Sequence, residues 1–144
     1  MLRFAYHLNG KGLSHAALRR WCRGVVDAGL AGVVAPGDVV ELTTPSLPWA
    51  FEQSVVADDR VSEGGKSFSR IKYTGREGVW TFANVQEAEV PAWRSWYLAT
   101  AGGRLPFVLE FRDVLHVVVA PGPFPLVMQR AEIWAGQLTV REAL

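Results

Sequence analysis

The sequence predicts an α+β fold: a mainly antiparallel β-barrel or β-sandwich with an N-terminal helix over about 14–28 and a short helix over about 90–101 packed on the sheet. Three observations carry this expectation. A run with apolar residues three and four apart lies near the N-terminus. Many short β-branched and aromatic runs, punctuated by Gly, Pro and Asp, occupy the rest. A second helical segment, opened by Pro91 and closed by Gly102-Gly103, interrupts them. Many short strands with one or two helices fit an α+β domain, a small barrel or a sandwich.

Ser14 is placed as the N-cap of the first helix, in which Leu18, Trp21, Cys22, Val25 and Val26 share a face and Gly29 supplies the stop. His15, Arg19, Arg20, Arg23 and Asp27 share the opposite face. Charged residues are rarely buried, so this face is solvated or meets a partner, and Arg19, Arg20 and Arg23 are candidate interface residues. Ala35-Pro36-Gly37-Asp38 has turn chemistry, which makes Leu30 to Val34 and Val39 to Leu42 short strands. Thr44-Pro45-Ser46-Leu47-Pro48 then breaks regular structure, because two prolines so close cannot donate to a central ladder.

From Phe51 the pattern is of strands: Phe51 to Ala57, a loop from Asp58-Asp59 to Gly64-Gly65, Ser67 to Thr74, a turn at Gly75-Arg76-Glu77-Gly78, and Val79 to Val85. In Ser67 to Thr74, Ile71 and Tyr73 alternate with Phe68, Arg70 and Lys72, the period of a half-exposed sheet. Pro91 suits a first helical turn, where its missing N–H is not needed. Val90, Trp93 and Tyr97 then line one side, with Trp96 beside them. Leu105 to Phe111, Val114 to Ala120, Leu126 to Trp134 and Leu138 to Arg141 complete the strands, separated by Arg112-Asp113, Pro121-Gly122-Pro123 and Ala135-Gly136.

At 144 residues the chain fits one domain, 1–144, which should bury roughly 70% of its unfolded surface. The break near Pro45 allows a division into a helix-bearing lobe, 1–45, and a β-rich lobe, 51–144. An apolar fraction of 49%, a charged fraction of 20% and a mean hydropathy of +0.11 describe a globular chain with surface to be covered by partners. The net charge of +1 gives no global basic field, so neither nucleic acid nor an anionic membrane is favoured as a partner. Arg outnumbers Lys, 12 to 3, and its planar fork suits interfaces. The lone Cys22 forms no intrachain disulfide or Cys-based zinc cage, which fits a reducing compartment. The N-terminus lacks the pattern of a secretory signal, and no apolar run approaches the roughly 20 residues needed to span a bilayer.

No catalytic, cofactor-binding or metal-binding residue is expected, and the chain is not expected to be an enzyme. Cys22 lies on the apolar helix face, where desolvation disfavours a thiolate. His7, His15 and His116 lack the pairwise spacing of metal ligands. Glu87 with Glu89, and Glu110 with Arg112, are two residues apart, which does not by itself make an acid–base pair. Glu89 also suits the start of the Pro91 helix. Gly64-Gly65-Lys66 precedes a strand-like run and not a helix, so a phosphate cradle would lack its amides. Most of the six Trp residues fall in core or interface contexts, but Trp49, between Pro48 and Ala50, is a candidate exposed anchor.

The back half has a rhythm of its own: Trp80 and Phe82, then Trp93 and Trp96, then Gly102-Gly103 with Pro106-Phe107, and finally Trp134, Gly136, Leu138 and Glu142. Over Ser67 to Leu144 this resembles the small minor tail or distal tail proteins of long-tailed bacteriophages. The resemblance implies a structural virion protein, located in the tail and assembled in the host cytoplasm, that forms a homo-oligomeric ring and contacts neighbouring tail proteins without catalysis. Ring contacts would come from loops such as Asp58 to Ser67 and Pro121 to Pro125, so Asp58, Asp59 and Phe124 join the candidate interface. The alternative from a different class is a small β-barrel ligand-binding module, taking carbohydrate or nucleic acid on exposed aromatics and Arg. Its mark would be Trp49, Trp80 and Trp96 along one solvent-facing groove.

Overall fold

Among the described residues, eight strands and two α-helices follow one another as β1 (Leu2–His7), α1 (His15–Ala28), β2 (Gly37–Leu42), β3 (Glu52–Val61), β4 (Ser67–Gln86), α2 (Val90–Ala99), β5 (Phe107–Phe111), β6 (Val114–Val119), β7 (Leu126–Arg130) and β8 (Ile133–Glu142). They belong to a computed structural model that describes residues 2–30, 37–46 and 51–143, with the backbone alone over 52–60 and 67–74. The strands form one antiparallel sheet, ordered β2-β1-β5-β6-β8-β4-β3 with β7 also on β8, and the sheet curls into a half-barrel. The fold is therefore α+β, with one sheet curled into a half-barrel where a β-barrel or β-sandwich was the expectation. The two ends of the curl approach each other at an isolated bridge, where Ser46 N–H donates to Thr81 O at 2.7 Å.

β1 and β5 read as nearly continuous apolar runs because both of their faces are covered, which removes the usual alternation. On the concave side Leu2, Phe4 and Tyr6 of β1 and Phe107 and Leu109 of β5 pack with Trp80, Phe82, Trp93 and Trp96. On the convex side Ala5 and Val108 meet Cys22 and Val25 of α1. The sheet thus lies between α2 inside and α1 outside. The aromatic centre is dense: Phe4 lies 5.9 Å from Trp93 and 5.0 Å from Trp96, and Phe82 lies 5.0 Å from Trp93 edge-on.

Residues of 1–45 and of 51–144 contribute to one sheet and one core cluster. β1 pairs with β5 from Leu2↔Phe111 to Ala5↔Val108, so the first strand contributes to the same core as the last. Several boundaries also differ from expectation. Gly75 to Gly78 is no turn but the middle of the 20-residue β4, where the strand changes neighbours: Gly75 pairs with Ser54, Glu77 with both Glu52 and Arg141, and Gly78 with Val140. Asp58 and Asp59 lie within β3, and the hairpin loop is Ser62 to Lys66. The last hairpin turns at Ala131-Glu132, where Glu132 has φ +65°, and not at Ala135-Gly136, which runs inside β8. The strand expected over Leu30 to Val34 lies, beyond Leu30, outside the described residues, as does Trp49.

Two glycines explain the close approach of the Ala120–Pro125 segment. A Cβ on Gly103, whose φ is +77°, would stand 2.1 Å from Ala120 O, and Gly103 O accepts from Ala120 N–H at 2.8 Å. A Cβ on Gly136 would stand 1.7 Å from Pro125 O. Gly136 is a glycine because β7 enters against β8 there.

Candidate functional site

α1 begins where Ser14 Oγ accepts from Ala17 N–H at 3.2 Å and ends where Gly29, at φ +81°, donates to Val25 O. These caps fix the helix phase: Leu18, Cys22 and Val25 face the sheet, and His15, Arg19, Arg20, Arg23 and Asp27 are exposed. Burial pushes the Cys22 thiol up to about 12, and its Sγ lies 3.6 Å from Pro106 O, so it is a packing residue.

Between α1 and the C-terminal end of β8 runs a trough. One part, of about 430 Å³, is lined by His15 and Arg19 of α1, Arg104 and Pro106 of the α2–β5 connection, Val119 of β6, and Arg141 of β8. The next part, of about 410 Å³, is lined by Arg23, Val26 and Asp27 of α1 and by Leu115, His116 and Val117 of β6. Glu142 and Ala143 line both parts. Ala143 N–H donates to Val117 O at 2.8 Å, which ties the trough floor to β6. Arg19 and Arg23, singled out on the sequence, are thereby brought together with Arg104 and Arg141, which were not. Arg141 follows the inward Val140 and so faces out, but no local pattern signals that α1 lies beside it. Arg20 lies outside the trough lining.

Several polar residues elsewhere are used in structure. Glu89 accepts from Thr43 N–H at 2.6 Å, from Thr43 Oγ1 at 3.0 Å and from Trp93 Nε1 at 3.1 Å, so its carboxylate ties the end of β2 to α2. Arg3 donates through Nε to Glu110 Oε1 at 2.8 Å, beside it in the β1–β5 register. His7 Nδ1 accepts from Asn9 N–H at 3.0 Å, and its ring meets Trp21 edge-on. His116 stacks edge-on with Phe51 at 4.9 Å, on the face of β6 opposite to Glu110's face of β5, so these two do not join in a pocket. Burial lowers the pKa of His7 and of His116; for His116 Arg76 adds to the effect and Glu142 opposes it. Among the described residues, no three His, Cys, Asp or Glu side chains converge as metal ligands.

Phe124 is folded back onto the molecule. Its ring meets Tyr97 edge-on at 5.5 Å and takes the Arg94 guanidinium at 5.4 Å, while Tyr97 Oη donates to Gly122 O at 3.0 Å. The Pro121–Pro125 loop is therefore held against α2. Trp80 and Trp96 are wholly buried, so no solvent-facing stacking groove runs through them. Of the other candidates, Asp58 and Asp59 lie on β3 with their side chains outside the description, and Trp49 lies outside the described residues.

The most distinctive backbone feature is an arm. From Ser67 to Arg76, β4 pairs among the described strands with β3 alone, and its pairing with β8 begins at Glu77. The register runs from Glu52↔Glu77 to Val61↔Ser67, with a bulge between Val56 and Ala57. A ribbon of this length spans about 30 Å at ~3.3 Å per residue. Exposed apolar side chains also mark the edge strand β7, where Val127 is 61% and Met128 45% exposed. Compared with family models, with curated proteins and with solved structures, the chain matches none. No helix among the described residues is long and apolar enough to cross a membrane.

Proposed function

We propose that this chain is a structural protein of a phage tail, a distal tail or minor tail component that associates with copies of itself into a ring, contacts neighbouring tail proteins and performs no catalysis. On this reading it resides in the virion tail after assembly in the host cytoplasm. The observation that carries the self-association is the two-stranded arm formed by β3 and the first half of β4. An isolated two-stranded ribbon is marginally stable in water, and among the described residues no further strand pairs with either of its outer edges. Docking the arm on a second copy relieves both costs. Because arm and half-barrel are different surfaces, the contact is head-to-tail, and head-to-tail contacts close into rings when the rotation permits. The exposed Val127 and Met128 on edge strand β7 offer a second surface of the kind covered on assembly. The tail assignment itself rests on the rhythm of Trp80, Trp93, Trp96, Gly103, Trp134 and Gly136. Multi-angle light scattering with negative-stain microscopy tests the reading: rings of uniform diameter support it, and a strict monomer at the highest attainable concentration refutes it.

A further inference from the structure

We propose that the trough between α1 and the C-terminal end of β8 is a docking site for an extended, carboxylate-bearing segment of a partner protein. Four cationic or cation-forming groups from three separate parts of the chain converge there: His15 and Arg19 on α1, Arg104 on the α2–β5 connection and Arg141 on β8. Arg19 and Arg141 are exposed and make no side-chain hydrogen bond or ion pair within the described residues, and Arg104 reaches only Ala101 O, at 3.3 Å. In a chain of net charge +1 this is a local concentration of positive charge, and gathering like charges costs free energy that an anion would offset.

The trough's shape and chemistry choose among anions. Arg19 and Arg23 stand one helical turn apart along it, about 6 Å, close to the ~6.6 Å between alternate side chains of an extended peptide. Guanidinium forks match carboxylates with paired hydrogen bonds, and Pro106 and Val119 supply an apolar floor for the aliphatic part of the visiting side chain. Glu142 and Asp27 interrupt the basic surface. A nucleic-acid strand, with a negative charge at every step, would be repelled at those points, whereas a peptide with separated carboxylates would not. This inference does not depend on the ring reading, since the residues that line the trough lie outside the arm.

The test is fluorescence anisotropy of a labelled six-residue peptide of alternating glutamate and alanine, titrated with the full chain at low salt. The expected result is saturable binding that weakens as salt rises, falls about ten-fold or more in the double variant Arg19→Ala with Arg141→Ala, and is unchanged by Arg20→Ala, which removes the same charge from α1 outside the trough. Both trough arginines are exposed, so the double variant retains the fold. Absence of binding, an equal loss with Arg20→Ala, or equal or tighter binding of a labelled single-stranded oligonucleotide would each overturn the proposal.

Discussion

Gly103 and Gly136 hold two places where a Cβ would run into backbone, and substitution there has nowhere to put a methyl group. Both clashes would be with carbonyl oxygens of the Ala120–Pro125 segment, which α2 and β8 hold from two sides. Gly103→Ala and Gly136→Ala are each expected to lower unfolding free energy by about 3 kcal/mol or more, combining steric displacement with, at Gly103, a left-handed backbone. Gly24, in the exposed middle of α1 with nothing within 4 Å of where a Cβ would stand, behaves oppositely. Gly24→Ala should stabilise by about 0.5–1 kcal/mol, since alanine restricts the unfolded chain and suits a helix. Urea denaturation of the three variants checks all of this. At the sequence level Gly103 reads correctly as a helix stop, but the reason it must be glycine is Ala120, a contact across the sheet that no local pattern carries. Gly136 reads as a strand break for the same reason: glycine's signal for a turn and for a close approach is identical.

His7 and His116 titrate below the ordinary value of 6.5, burial being the leading cause for each. Above that value both folded and unfolded chains hold neutral rings. As pH falls through it, the unfolded chain takes up protons that the folded one resists, so stability is lost on acidification from about pH 6.5 downward, before carboxylates near pH 4 titrate. The thermal midpoint should therefore decline across this window. His116→Phe, which keeps a ring against Phe51, should make the decline shallower; an unchanged slope would remove His116 from the account.

At the scale of elements, α2 docks through two buried indoles that differ in one respect. Trp93 Nε1 donates to Glu89, whereas Trp96 Nε1 is buried without a partner among the described residues. Trp93→Phe removes a hydrogen bond to a carboxylate, while Trp96→Phe removes an unmatched donor. The first should be the more destabilising by about 1–2 kcal/mol, measured as a difference in denaturation free energy. α2 is legible in the sequence because Pro91 and Gly102-Gly103 bracket an aromatic run, all within local reach. β4 is not. Its two halves look like separate strands because Gly75 and Gly78 flank two charged residues, yet the chain continues extended there by exchanging one neighbour, β3, for another, β8. Partner exchange is decided by residues far along the chain, so composition around the bend is silent about it. Likewise the polar Asp58-Asp59 pair reads as loop, but cross-strand pairing with Arg70 and Ser69 extends the strand through it.

At the scale of the molecule, eight strands make a sheet that curls without closing, with helices on both faces at one end and an arm at the other. The α+β class is legible from the count and type of segments. Openness is not, because closure depends on whether β2 and β4 meet along their lengths or, as here, at the Ser46–Thr81 bridge. The trough is half legible: α1 announces Arg19 and Arg23, but only the tertiary fold adds Arg104 and Arg141. The arm concentrates the self-association claim in a segment whose residues are not among the described core clusters. Joining Ser54 to Gly75, which face each other in the β3–β4 register, through a two-residue turn deletes the ribbon beyond them. Sedimentation equilibrium of this variant beside the full chain tests the claim most directly. The account predicts a multimer for the full chain and a folded monomer for the variant; a monomeric full chain, or a variant that keeps the full chain's multimeric state, would contradict it.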